Sequence, residues 1–207
     1  MSTIDFQKKL SSGEMTALAN PTSGTPVTKL SVGVMWDASN KGKKGLLGRL
    51  NRKVGVDLDL MAVALDSQGK GLRICGPDNL NIFGGAAVHS GDNRTGLGDG
   101  IDESITVDLT SMRSDVEALV FVVTAYKKGV SFSQAQNVDC YLFDESTGTQ
   151  QELTIFSPPV DTTDNTVLFA LVDRQEAAWG VTIINETVNT SADGLVGEVG
   201  KLFRASS

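Results

Sequence analysis

The chain has 207 residues, 40% of them hydrophobic and 21% charged, with a formal net charge of −7. This is the composition of a globular protein with one sizeable core, and its acidity argues against generic nucleic-acid binding, which needs a basic surface to displace counterions. With only Cys75, Cys140 and the single histidine His89, a disulfide framework, a thiolate or imidazole zinc cage and a hydrolytic triad are all poorly supplied.

The N-terminal MSTIDFQKKLSSGEMTAL lacks the basic start and continuous apolar run of a secretory signal. No apolar run nears the roughly 18 residues of a membrane span, so the expected compartment is the cytoplasm. Residues 1–26 close on ALANPTSGTP, a cluster of turn and linker residues, and read as an N-terminal appendage and linker ahead of a domain over 27–207. Leu30, Val32, Val34 and Trp36 then alternate with Lys29, Ser31, Gly33 and Met35, the period of a half-buried strand. A basic insertion, KGKKGLLGRLNRK at 41–53, gathers Lys41, Lys43, Lys44, Arg49, Arg52 and Lys53. Within it Leu46, Leu47 and Leu50 fit one apolar helical turn among cations, as in an interfacial anchor; a solvated loop with a few packed leucines accommodates the same residues.

In VDLDL, Asp57 and Asp59 are two apart and share one face of a strand, opposite Val56, Leu58 and Leu60. Aspartate is depleted in strands, and the plain reading of the pair is a solvated strand end. SITVDL puts Ile105, Val107 and Leu109 on one face, and ALVFVVTAY is apolar on both, as a central strand is. LRIC, VDCYLF, ELTIF, TVLFALV and WGVTII add further short runs divided by Gly, Pro, Asp, Asn and Ser. The pattern predicts an all-β, two-sheet β-sandwich over about 27–185, with Cys75 and Cys140 as buried free thiols. SFSQAQN reads as a short helical turn. Leu195, Val196, Val199, Leu202 and Phe203 recur at helical spacing after Ser191 and Asp193, predicting a C-terminal amphipathic helix on the sandwich.

The most unusual stretch is GDNRTGLGDGIDE, residues 91–103, with Asp92, Asp99, Asp102 and Glu103 among four glycines. Together with Asp57 and Asp59 these carboxylates are candidates for one shared site. Two of them about 6 Å apart in an effective dielectric of about 20 would repel by roughly 3 kcal/mol, and several such pairs rival the whole stability of a domain. A bound cation relieves this. Calcium suits the chemistry, taking 6–8 oxygens in flexible geometry, with Asn93 and Thr95 adding side-chain oxygens. Gly91, Gly96, Gly98 and Gly100 let the backbone turn its carbonyls inward. The spacing is not that of an EF-hand, and GLGDG lacks the lysine of a phosphate-binding loop. Were all six acids to share the site, two calcium ions would balance them better than one.

WDAS at 36–39, VDLDLMAVAL at 56–65, HSGDNRTGLGDGIDESITVDL at 89–109 and VEALVFVVTAY at 116–126 resemble the TerD family of bacterial tellurium-resistance and general stress proteins. The resemblance is strongest over residues 30–145. It implies a calcium-binding β-sandwich with Asp57, Asp59, Asp92, Asn93, Asp99, Asp102 and Glu103 at the ion, Gly98 being counted with them. Two departures are Ile101, where the family often has another acid, and the 41–53 insertion, longer than the usual connection. The expected function is a non-enzymatic calcium-binding stress-response module, whose acidic loops order around the ion and present a surface to other stress-response proteins. Direct capture of tellurite is disfavoured, because an anion meets an anionic site and buried thiols offer little chemistry. The alternatives are a peripheral membrane or complex-assembly adaptor using 41–53, and a calcium-dependent hydrolase, for which the sequence supplies no histidine partner or nucleophile. The oligomeric state is not legible.

Overall fold

The computed structural model describes residues 15–37, 56–96, 100–125, 130–159, 161–176 and 178–206. The described strands form two six-stranded antiparallel sheets. The first contains β1 (Met15–Ala17), β3 (Leu58–Leu65), β4 (Gly71–Cys75), β8 (Ala118–Ala125), β11 (Thr166–Arg174) and β12 (Trp179–Val188), in the order β1-β12-β11-β8-β3-β4. The second contains β2 (Lys29–Asp37), β5 (Asn81–Ile82), β6 (Ala87–His89), β7 (Glu103–Asp108), β9 (Gln136–Asp144) and β10 (Gln151–Phe156), in the order β10-β9-β2-β7-β6-β5. The helix α1 spans Ala192–Ser206, and a 3-10 turn at Phe132–Gln134 lies within the SFSQAQN stretch. The two-sheet sandwich and terminal helix are therefore those the sequence predicts. None of the helices among the described residues is long and apolar enough to cross a membrane.

The core between the sheets follows from strand periodicity. Leu30, Val32, Val34 and Trp36 of β2 are buried in one cluster with Leu58, Leu60, Ala62 and Ala64 of β3 and with Phe121 and Phe169. The first sheet is apolar on its other face as well, because α1 lies there. Val63 and Leu65 of β3, with Val120 and Val122 of β8, pack with Leu195, Val199 and Phe203 of the helix. Burying each such side chain contributes about 1.5–3 kcal/mol. Ser191 opens the helix, its hydroxyl accepting the Gly194 N–H at 3.2 Å and its carbonyl the Leu195 N–H at 3.0 Å. At the other end Arg204 donates to the carbonyls of Gln68 and Gly69, which places a cation at the negative end of the helix dipole.

One boundary differs from the sequence expectation. Residues 15–26 are not an appendage: β1 pairs with β12 through Met15↔Thr182, and Leu18 and Asn20 are buried. Asn20 donates through Nδ2 to Asp144 at 2.7 Å and Gln151 at 2.9 Å, while its Oδ1 accepts the N–H groups of Thr22 and Ser23. The NPTSGTP cluster is thus a pinned turn between β1 and β2. Turn-forming residues mark tight turns and linkers alike, and only their distant partners separate the two. The earlier part of that appendage and the basic insertion at 41–53 lie outside the described residues.

Candidate metal centre

β4 begins pairing with β3 only at Ala62↔Cys75, so the Leu60 peptide lies beyond the end of that ladder. A buried peptide cannot be left without partners at low cost, and two side chains from the second sheet supply them. Glu103 Oε2 accepts the Leu60 N–H at 2.8 Å, and His89 Nε2 lies 3.1 Å from the Leu60 carbonyl. The Gly91 N–H points at His89 Nδ1 at 3.0 Å, which requires a lone pair there and leaves the ring proton on Nε2 to face Leu60 and Glu103. Both side chains are fully buried, with Nε2 and Oε2 3.4 Å apart.

The other Glu103 oxygen begins the loop. Oε1 accepts the Asn93 N–H at 2.9 Å, and Asn93 Nδ2 donates to Asp102 Oδ1 at 2.7 Å. Asp102 Oδ2 accepts the Trp36 N–H at 2.9 Å. Asn93 Oδ1 turns back on its own loop to accept from the Thr95 N–H and hydroxyl and from the Gly96 N–H. Gly96 has φ +55°, and a Cβ on it would collide with the Trp36 indole and carbonyl, so only glycine closes this turn. Asn93, Asp102 and Glu103 therefore hold the loop's shape through hydrogen bonds.

Asp57, Asp59 and Asp92 are different. One carboxylate oxygen from each lies within 4.8 Å of the others. Asp57, just ahead of β3, and Asp59 within it are 7% and 4% exposed, so they are not at a solvated strand end. Asp92 is exposed, on the loop after β6. The Asp59 carboxyl is pushed up to about 7, first by burial and then by the charges of Glu103, Asp57, Asp92 and Asp78. Its Oδ2 is buried and makes no hydrogen bond among the described residues, an expensive arrangement for a carboxylate. Burial is also the largest cause of an upward shift at Asp102, with the Trp36 N–H pulling it back down and the Glu103 and Asp37 charges adding to the rise.

Of the residues expected at an ion, the structure thus brings Asp57, Asp59 and Asp92 together and places Asn93, Asp102 and Glu103 in the scaffold beside them. Gly98 and Asp99 lie outside the described residues. Two contributors escape sequence reasoning. Asp78 adds its charge to Asp59 from the Gly76–Asn79 turn, where the sequence signals only a turn. Arg94, whose charge the sequence does not assign to any partner, donates from Nε to Asp92 Oδ2 at 2.7 Å. Ile101 lies over Gly33, where a Cβ would come within 2.7 Å of its Cδ1. The trio presents oxygen alone. His89 has both ring nitrogens engaged, and burial pushes the Cys75 thiol up to about 11. Such donors suit a hard cation such as calcium rather than a thiophilic metal, and a cation would give the Asp59 Oδ2 atom the partner it lacks.

Comparison with known proteins agrees with this architecture. The TerD domain family matches residues 7–198. The tellurium resistance protein TerZ of Serratia marcescens is 35% identical over 159 residues, covering 76% of this chain and 79% of that protein. General stress protein 16U of Bacillus subtilis is 33% identical over 131 residues, 58% of this chain and 61% of that one. A crystal structure of a homologue of telluride resistance protein (TerD) from Streptomyces coelicolor shares the fold with a TM-score of 0.68 at 17% identity, covering 84% of this chain and 98% of that chain.

Proposed function

The chain belongs to the TerD domain family of tellurium resistance and general stress proteins, and from that premise we propose that it works as a non-enzymatic calcium-binding module. The observation that carries the reading is the Asp57, Asp59 and Asp92 trio, in which a buried carboxylate oxygen of Asp59 has no hydrogen-bond partner. Calcium bound there would supply two positive charges where three carboxylates converge. Asp57 and Asp59 come from the start of β3 in the first sheet and Asp92 from the loop after β6 in the second, so one ion ties the two sheets together. Asn93 and Asp102 keep the loop folded toward it. Calcium is favoured over magnesium because a half-rigid, half-loop set of carboxylates does not enforce a strict octahedron.

The reading assigns one ion to the trio. A second ion, expected from six acids in one site, would have to draw on Gly98 and Asp99, since Asp102 and Glu103 already accept hydrogen bonds from Trp36, Asn93 and Leu60. The output of the module is an ordered loop, presented to another stress-response protein. Tellurite, itself an anion, is not its ligand at this cluster. A hydrolytic role is disfavoured because His89 points both nitrogens at backbone groups and so offers no base. Calorimetric titration of chelator-stripped protein with calcium and with magnesium tests the proposal. A saturable calcium heat near one ion per chain, with magnesium weaker, supports it; no saturable calcium heat ends it.

A further inference from the structure

Arg94 is an odd residue to find beside a cation site. It sits two positions after Asp92, and its Nε donates to Asp92 Oδ2 at 2.7 Å. The Arg94 side chain is 76% exposed, yet its charge interacts with Asp57 and Asp59 as well as with Asp92. The loop holds it there: Asn93 Oδ1 accepts the Thr95 and Gly96 N–H groups on the far side of the arginine. The guanidinium nevertheless leaves Asp59 Oδ2 without a hydrogen bond. It offsets the charge of the trio from outside without entering it.

Resting on the calcium reading above, we propose that Arg94 is a tethered counter-ion that competes with the divalent cation for Asp92 and so sets the calcium concentration at which the site fills. In the ion-free protein its positive charge partly offsets three carboxylates, and the same charge opposes a second cation arriving among them. An arginine suits this task better than a histidine, because it keeps its proton throughout the physiological range. The pair is on the surface and hydrated, where such pairs hold weakly, so the ion can displace it at modest cost. For a unit charge roughly 7–10 Å from a divalent ion in water, Coulomb's law gives about a four- to eightfold effect on affinity.

The test titrates full-length wild type, Arg94→Gln and Arg94→Lys with calcium chloride by calorimetry, at low and at high sodium chloride. Each protein is also melted in chelator. Arg94→Gln is expected to bind calcium about three- to tenfold more tightly than wild type, with the gap narrowing at high salt, and to melt lower in chelator. Arg94→Lys, which keeps the charge, is expected within about twofold of wild type. Equal or weaker calcium binding by Arg94→Gln, beside saturable binding by wild type, overturns the competition and makes Arg94 a bystander or a positioning residue for Asp92. A lysine variant that behaves like glutamine overturns the charge argument. No saturable heat in any of the three removes the calcium reading, and this inference falls with it.

Discussion

One face of a single strand is covered in two opposite ways. Alternation along β3 puts Asp59, Met61, Val63 and Leu65 on the same face, continued backward by Asp57. At one end Val63 and Leu65 lie under α1, against Leu195, Val199 and Phe203. At the other end Asp57 and Asp59 are nearly as buried, but there the nearest company is a third carboxylate, Asp92. Burial beneath the helix stabilises outright. Burial beside Asp92 withdraws carboxylates from water and sets them against one another, which stabilises only once a cation or a proton arrives. The helix end of β3 is permanent structure; the acid end is structure on a condition.

The largest expected effect breaks the permanent half. Phe203→Ala is expected to lower unfolding free energy by about 3–5 kcal/mol, as large-to-small changes in cores do, and by the same amount in chelator and in calcium. Urea titrations in both conditions measure it, and a calcium-dependent loss would mean the two ends are not separate. Glu103→Gln comes next. The amide keeps one acceptor but turns a donor toward Leu60 or Asn93, so one buried N–H loses its partner and stability falls by about 1–3 kcal/mol with or without the ion. Were Glu103 chiefly an ion ligand, the loss would appear in calcium affinity, with the ion-free protein unaffected or improved.

pH sharpens the comparison further. Burial, and after it the neighbouring carboxylate charges, push the folded Asp59 carboxyl up to about 7, well above the roughly 3.9 of a free aspartate, so between those values the folded chain holds more protons than the unfolded one. Stability in chelator should therefore decline as pH rises from about 4 to about 7 and level off above, with the Asp59 contribution amounting to about 1–3 kcal/mol after allowance for solvent screening. Asp59→Asn removes that slope. Since calcium requires the deprotonated form, affinity should climb between about pH 6 and pH 8; titrations across that range that show no trend would place Asp59 outside the ion's reach. The smallest effect is at Ile101, which rests on Gly33 at the rim of the loop. Ile101→Asp is expected to raise calcium affinity by about two- to fivefold through added charge alone, with stability changed by less than about 0.5 kcal/mol.

The same contrast separates what the sequence discloses from what it conceals. The β2 alternation of Leu30, Val32, Val34 and Trp36, the two-faced apolar β8 and the helical spacing of Leu195, Val199 and Phe203 are legible, because each periodicity reports a face that must be covered. The two- and three-residue strands β5 and β6 are too short to show a period, and β1 hides behind a turn that reads as a linker. At the site, the residue types and the glycine turns are legible, while the division of labour is not. Glu103 alternates with Ile105 and Val107 on the inward face of β7, a sign that it serves the interior, and His89 follows Ala87 inward on β6. Such parity is readable in advance. The meeting of Asp92 with Asp57 and Asp59 is not, because it depends on how one sheet's loop crosses the end of the other.

The claim that the acid end of β3 is conditional structure is tested most directly by thermal melts of wild type and Asp59→Asn, each in chelator and in millimolar calcium. At a free ion concentration about 100-fold above the dissociation constant, one site adds roughly 2.7 kcal/mol, a rise of about 5–10 °C for a domain of this size. Wild type should show that rise. Asp59→Asn should melt higher than wild type in chelator, having lost one member of a self-repelling trio, and should gain much less from calcium. A wild-type curve that calcium leaves where chelator put it, with Asp59→Asn no more stable than wild type in chelator, would contradict the account.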